Sequence, residues 1–140
     1  MDSNYIAMSL FAHADLLIEQ HRYDEAFQLF DSIVKDYPAH SLGDEILLKK
    51  AHSYQLRGQW NKAISSLEEL MKYYPDDILA DDALFQLGNI YENHLMNNEV
   101  ALEYYRRILF DYKGSLYSTE ARKRFQAIRS LEKNQSTEVN

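Results

Sequence analysis

The feature that most constrains this chain is its agreement with itself at a shift of 37 or 38 residues. Ser41-Leu42-Gly43-Asp44-Glu45-Ile46-Leu47-Leu48 aligns with Ile78-Leu79-Ala80-Asp81-Asp82-Ala83-Leu84-Phe85 and with Leu116-Tyr117-Ser118-Thr119-Glu120-Ala121-Arg122-Lys123. Each stretch follows a tyrosine-centred break: Tyr37-Pro38, Tyr74-Pro75 and Tyr112-Lys113. Small residues recur at Ala14, Ala51 and Gly88, and again at Ala26, Ala63 and Ala101. Large ones recur at Leu10, Leu47 and Leu84, and at Phe30, Leu67 and Tyr105. A fixed period in this range means stacked supersecondary units, each too small to bury its own apolar face alone.

Within a unit the apolar spacing is three or four, the helical period. Tyr23, Ala26, Phe27, Phe30, Ile33 and Val34 make one stripe, and Trp60, Ile64, Leu67, Leu70 and Met71 the next. Ala101, Leu102, Tyr105, Ile108 and Leu109 make the third. The two prolines stand where a helix must already have ended. The spacing predicts first helices near 4–20, 42–57 and 79–94, and second helices near 23–36, 60–73 and 98–111. A last helix is expected near 116–133, followed by a flexible tail over 134–140. The repeats then cover about 4–38, 42–75 and 79–113 of one domain, 1–133. Asp24, Asn61 and Asn97 or Asn98 are expected N-caps of the second helices, and Asp76 and Asp77 of the third first helix. The small columns are expected where the two helices of a unit cross closely, and the large ones fill the gaps between neighbouring helices.

Composition narrows the class. Only four glycines and two prolines interrupt 140 residues, which favours helices over a turn-rich β fold. Cysteine is absent, so neither a disulfide frame nor a thiolate metal site is available. No stretch approaches the ~20 apolar residues of a membrane span. The opening Met1-Asp2-Ser3-Asn4-Tyr5 lacks the basic-then-apolar pattern of a secretory signal, and a methionine set directly on a repeat has the look of a trimmed piece. The formal charge of −7 speaks against wrapping a nucleic acid. That charge is unevenly spread: nine Lys and Arg stand against nineteen Asp and Glu up to Tyr112, but six stand against two over 113–133.

The pattern of a large residue, a small one, Tyr, Ala, an aromatic and Pro resembles the tetratricopeptide repeat family over about residues 5–133. In the second unit these are Leu47, Ala51, Tyr54, Ala63, Leu67, Leu70 and Pro75. In the third they are Leu84, Leu87-Gly88, Tyr91, Ala101, Tyr105 and Ile108. The period exceeds the ~34 residues usual there. The additional residues fall in Ala39-His40-Ser41, Asp76-Asp77-Ile78 and Gly114-Ser115-Leu116, with one more between Leu95 and Glu99. Lys113 stands where proline is expected. This longer form resembles the subclass in bacterial envelope proteins such as the Tol-Pal coordinator and outer-membrane assembly lipoproteins. The ending from Gly114 to Phe125 resembles the C-terminal end of large repeat proteins of Bacteroidetes-type bacteria, which implies the end piece of a longer solenoid. Compartment follows from that setting: periplasm or cell envelope for a fragment of an envelope protein, cytoplasm otherwise.

The resemblance implies an all-α fold, a right-handed α-α superhelix of three helix-turn-helix repeats with a C-terminal capping helix. It also implies a concave wall of first helices that binds a peptide or a partner protein. Carried over, the groove row is Phe11, Leu48 and Phe85, then Asp15, His52 and Asn89, then Ile18, Gln55 and Glu92. An apolar stripe flanked by polar groups suits an extended segment or an amphipathic helix. The same row also suits packing against the last helix or against each unit's own second helix, or filling by a neighbouring copy of the chain. The structural alternative is therefore a self-assembly segment with no separate ligand groove. Arg122, Lys123, Arg124 and Arg129 on the basic last helix either solubilise the end of the stack or dock on acidic groups.

Catalysis and cofactors find no support. His13, His21, His40, His52 and His94 lack metal-ligand spacing, and His13, at a core-facing repeat position, is expected to be buried or half-buried. The Asp76, Asp77, Asp81, Asp82 cluster lacks a calcium-loop pattern and reads as helix capping. No phosphate loop, dinucleotide fingerprint or nucleophile elbow is present, so no enzyme, cofactor or metal is expected.

Overall fold

The computed structural model describes residues 3–38 and 41–138, so Ala39 and His40 of the first long turn lie outside the described residues. The elements are α1 (Ser3–Glu19), α2 (Tyr23–Asp36), α3 (Gly43–Leu56), α4 (Trp60–Tyr73), α5 (Ala80–Asn93), α6 (Asn98–Asp111) and α7 (Ser118–Glu138), with no strand among the described residues. The fold is all-α, and the helix spans expected from the spacing agree within one residue for α1 to α6. α7 is the exception, because it runs to Glu138 where a tail was expected after 133. The run Asn134-Gln135-Ser136-Thr137 is polar and solvent-exposed but contains no glycine or proline to stop a helix. Thr137 turns its hydroxyl back onto the Lys133 carbonyl at 3.0 Å.

The chain divides into two compact units, Met1–Glu69 and Leu70–Asn140, with the division falling inside α4. In the first unit, α1, α2 and the start of α3 bury Ala7, Ala14, Leu17, Ile18, Ala26, Phe30, Ile33, Leu42 and Ile46 as one cluster. In the second, α5, α6 and α7 bury Leu84, Leu87, Ile90, Tyr105, Ile108 and Ile128. Each such large side chain contributes roughly 1.5–3 kcal/mol by leaving water. All six small repeat positions are buried. Gly88 shows why: a Cβ there would lie 2.5 to 2.9 Å from three ring atoms of Tyr105.

The tight turn between the two helices of a repeat recurs in backbone as well as in sequence. His21, Gly58 and Met96 all adopt the left-handed conformation, at φ 61, 68 and 52. In the first two turns the next amide closes a six-residue ring, Arg22 N to Leu17 O and Gln59 N to Tyr54 O, both at 2.8 Å. The third turn carries one more residue, so Asn97 N reaches Tyr91 O instead. Only Gly58 adopts this conformation freely; His21 and Met96 carry a backbone cost of about 1 kcal/mol each.

Capping follows the expectation in part. Asn97 accepts the Val100 amide at 3.2 Å and caps α6. Asp24 instead lies in the first turn of α2, whose N-cap is Arg22, and Asn61 lies inside α4. There Asp24 and Glu25 act through the positive end of the helix dipole. Asp77 accepts the Leu79 amide at 3.0 Å, fixing the turn ahead of α5 without being its N-cap.

Candidate protein-interaction site

The nine expected groove positions divide by unit. In the first unit, Phe11 is half-buried on α1, with its ring 5.8 Å from that of fully buried Phe30 on α2. Leu48 is half-buried and His52 exposed on α3. Asp15 pairs with Lys49 at 2.9 Å, which ties α1 to α3 beside that row. Gln55 is half-buried and already has an interaction within the chain. Ile18 corrects the expectation: at 4% exposure it belongs to the core cluster, because its place on the helix lies beside Ala7 and Ala14 on the face turned to α2.

In the second unit α6, the turn ahead of α7 and α7 itself supply partners to the equivalent positions. The Phe85 ring is stacked on Tyr117 at 4.9 Å and tilted against Tyr105 at 5.9 Å. Asn89 accepts from the Tyr105 hydroxyl at 3.2 Å. Glu92, expected on the groove, is buried at 8% exposure and corrects the expectation in the same sense. Its carboxylate accepts from the Tyr105 hydroxyl at 2.9 Å, from Arg124 Nε at 3.0 Å and from Arg124 Nη2, a two-pronged contact.

That pairing also revises the basic cap. Arg124 is half-buried and committed to Glu92, whereas Arg122, Lys123 and Arg129 are exposed. Hydrogen bonding to Glu92 raises the Arg124 pKa above its ordinary value. Burial first, and the adjoining Glu92 second, hold the Tyr105 phenol protonated far above its ordinary range. Tyr117 is raised as well, by burial and then by Asp82.

The remaining sequence candidates have structural partners or face solvent. Asp81 accepts from the Ser115 hydroxyl at 2.6 Å and Asp82 from the Gln86 amide at 2.9 Å, so most of the acidic cluster serves the α5 and α7 entry turns. No group of three or more His, Asp or Glu among the described residues is placed to hold a metal ion. His13 is exposed, not half-buried, because the core is met one residue later, at Ala14. Among the described residues no helix is long and apolar enough to cross a membrane.

One cluster escaped the sequence reading. The Arg57 guanidinium lies 4.5 Å from the Tyr23 ring, 5.2 Å from Tyr54 and 5.6 Å from Phe27. The three aromatics stand in the repeat pattern, but nothing in the spacing places Arg57 among them. It reaches them from just past the end of α3.

These features carry the architecture of a repeat scaffold, and the family comparison agrees. Two family models described as tetratricopeptide repeat match residues 17–90 and 82–133. The chain belongs to the tetratricopeptide repeat family, whose repeats generally mediate protein–protein interaction on a non-catalytic scaffold. No curated protein matches the chain.

Proposed function

We propose that this chain is a protein-binding module whose partner segment lies along the first-helix row of the first unit, on Phe11, Leu48 and His52. The observation that carries this reading is the contrast in occupancy. Glu92 is buried against Arg124 of α7, half-buried Phe85 is stacked on Tyr117 ahead of α7 and half-buried Asn89 accepts from Tyr105, whereas in the first unit His52 at the Asn89 position is exposed beside half-buried Leu48 and Phe11. A half-open apolar pair beside an imidazole and the Asp15–Lys49 pair suits a short amphipathic segment with one or two large apolar anchors. The long period supports a bacterial envelope setting for such a module.

The test is selection of binders from a displayed library of random peptides, followed by titration of the selected peptides. Leu48→Ser with His52→Ala is expected to weaken them by at least tenfold while helix content stays unchanged. Peptides that bind the double variant as well as the parent chain would sink this reading.

A further inference from the structure

A small cleft at the tight turn between α1 and α2 gathers charged groups that the packing of the first unit does not use. It measures about 240 Å3 and is lined by His21, Arg22, Tyr23, Asp24, Glu25 and Arg57. Arg22 and Glu25 pair with each other. Arg57 pairs with neither carboxylate of the cleft. Its guanidinium lies over the rings of Tyr23, Tyr54 and Phe27 instead, which fixes its plane. Of its five N–H donors only Nε is engaged, through a long 3.4 Å contact to the Ser53 carbonyl. Its Nη nitrogens have no acceptor among the described residues. Lys62, over the Tyr54 ring at 5.9 Å, adds a second cation without a carboxylate partner among the described residues. His21 is an independent observation on the same cleft. It holds a left-handed φ of 61 where the next repeat places Gly58, and backbone strain of this kind gathers at ligand sites. Its Nδ1 lies 2.8 Å from the Tyr23 hydroxyl. With that hydroxyl donating, the proton of the neutral ring sits on Nε2, a second donor at the cleft.

We propose that this cleft binds a single carboxylate, held on the free edge of the Arg57 guanidinium with His21 beside it. Shape favours a carboxylate, whose two oxygens match the parallel donors of a guanidinium edge. Because the rings already fix that edge, little side-chain freedom is lost on binding. Charge sets how much the cleft takes. Arg22 and Arg57 balance Asp24 and Glu25, with His21 neutral, and Lys62 beyond the lining tips the surroundings positive. One negative charge is accommodated there. A dianion meets Asp24, which has no cation of its own among the described residues. The carboxylate belongs to a protein partner, as an acidic side chain or as a chain terminus.

Titration of the whole chain with sodium acetate at constant ionic strength, followed by NMR of the Arg57 Nε–H group and the backbone amides of residues 21–25, tests this. Saturable shifts in the millimolar range are expected, as suits one charge-assisted contact beside solvent. Inorganic phosphate, mostly dianionic at about pH 7.5, is expected to bind at least threefold more weakly. Arg57→Lys keeps the charge but loses the planar edge, and is expected to weaken acetate at least fivefold with helix content unchanged, since Arg57 is exposed. His21→Gly is expected to raise the melting temperature and weaken acetate together, a pairing that a turn residue without a ligand role would not show. Glutamate blocked at both ends and N-acetylglycine distinguish the two sources: tighter binding of the first assigns a side chain, of the second a terminus. Shifts that never saturate, phosphate binding as tight as acetate, or unchanged acetate affinity in Arg57→Lys or His21→Gly each overturn the proposal. The Leu48 and His52 double variant keeps acetate binding, so failure of the binding row and failure of this cleft read differently.

Discussion

Lys49 and Arg124 hold the same repeat position, and each reaches back to a carboxylate on a first helix of its own unit. In the first unit, Lys49 meets Asp15 with both side chains more than a third exposed, at 37% and 38%. In the second, Arg124 meets Glu92 with two nitrogens, and the Glu92 side chain is only 8% exposed. Solvent screens the first pair, so it contributes a few tenths of a kcal/mol. The second is largely withdrawn from water and joined by the Tyr105 hydroxyl. One register therefore makes a loose surface tie in one unit and the lock of a terminal helix in the other. The difference follows from where the carboxylate stands: Glu92 takes the repeat position of core residue Ile18, whereas Asp15 takes that of Asn89, and Tyr105 adds a donor to Glu92 where Phe30 at the equivalent position has none.

Removing each basic residue in turn measures the two ties separately. Arg124→Ala leaves Glu92 buried without its cation and is expected to cost about 2 kcal/mol in chemical denaturation. That is less than the ~3–5 kcal/mol of a fully enclosed pair, because Arg124 retains 38% side-chain exposure. Gly88→Ala comes next. Alanine ordinarily stabilises a helix by about 1 kcal/mol over glycine, but here its methyl meets the Tyr105 ring within 3 Å, and a net loss of about 1–2 kcal/mol is expected in thermal melts. Lys49→Ala is expected to cost under about 0.5 kcal/mol, and a loss equal to that of Arg124→Ala would erase the distinction between the units.

Much of this was legible in the sequence, and the physical reason is period. The columns of Ala14, Ala51, Gly88 and of Phe30, Leu67, Tyr105 mark the helix crossings because packing density leaves room for one large partner per small one. Helix positions followed for six of the seven helices, since prolines, turns and stripes that repeat set their limits. The partners of exposed-looking polar residues were not legible. Glu92 and Arg124 lie 32 residues apart, and their meeting depends on how α7 is rotated, which the charged pattern of α7 does not fix. Ile18 was misplaced for a related reason. A groove position and a core position on one helix differ by only a fraction of a turn, and the family register does not resolve that fraction. The left-handed turns at His21 and Met96 were also hidden, because only Gly58 announces that conformation.

Amide hydrogen exchange on the Arg124→Ala chain, resolved by segment, measures directly what holds α7 in place. If the Arg124–Glu92–Tyr105 contact holds α7 over the row of the second unit, amides of α7 lose protection by at least tenfold while those of α1 and α2 keep theirs. Unchanged protection of α7, or an equal loss in α1 and α2, would contradict it.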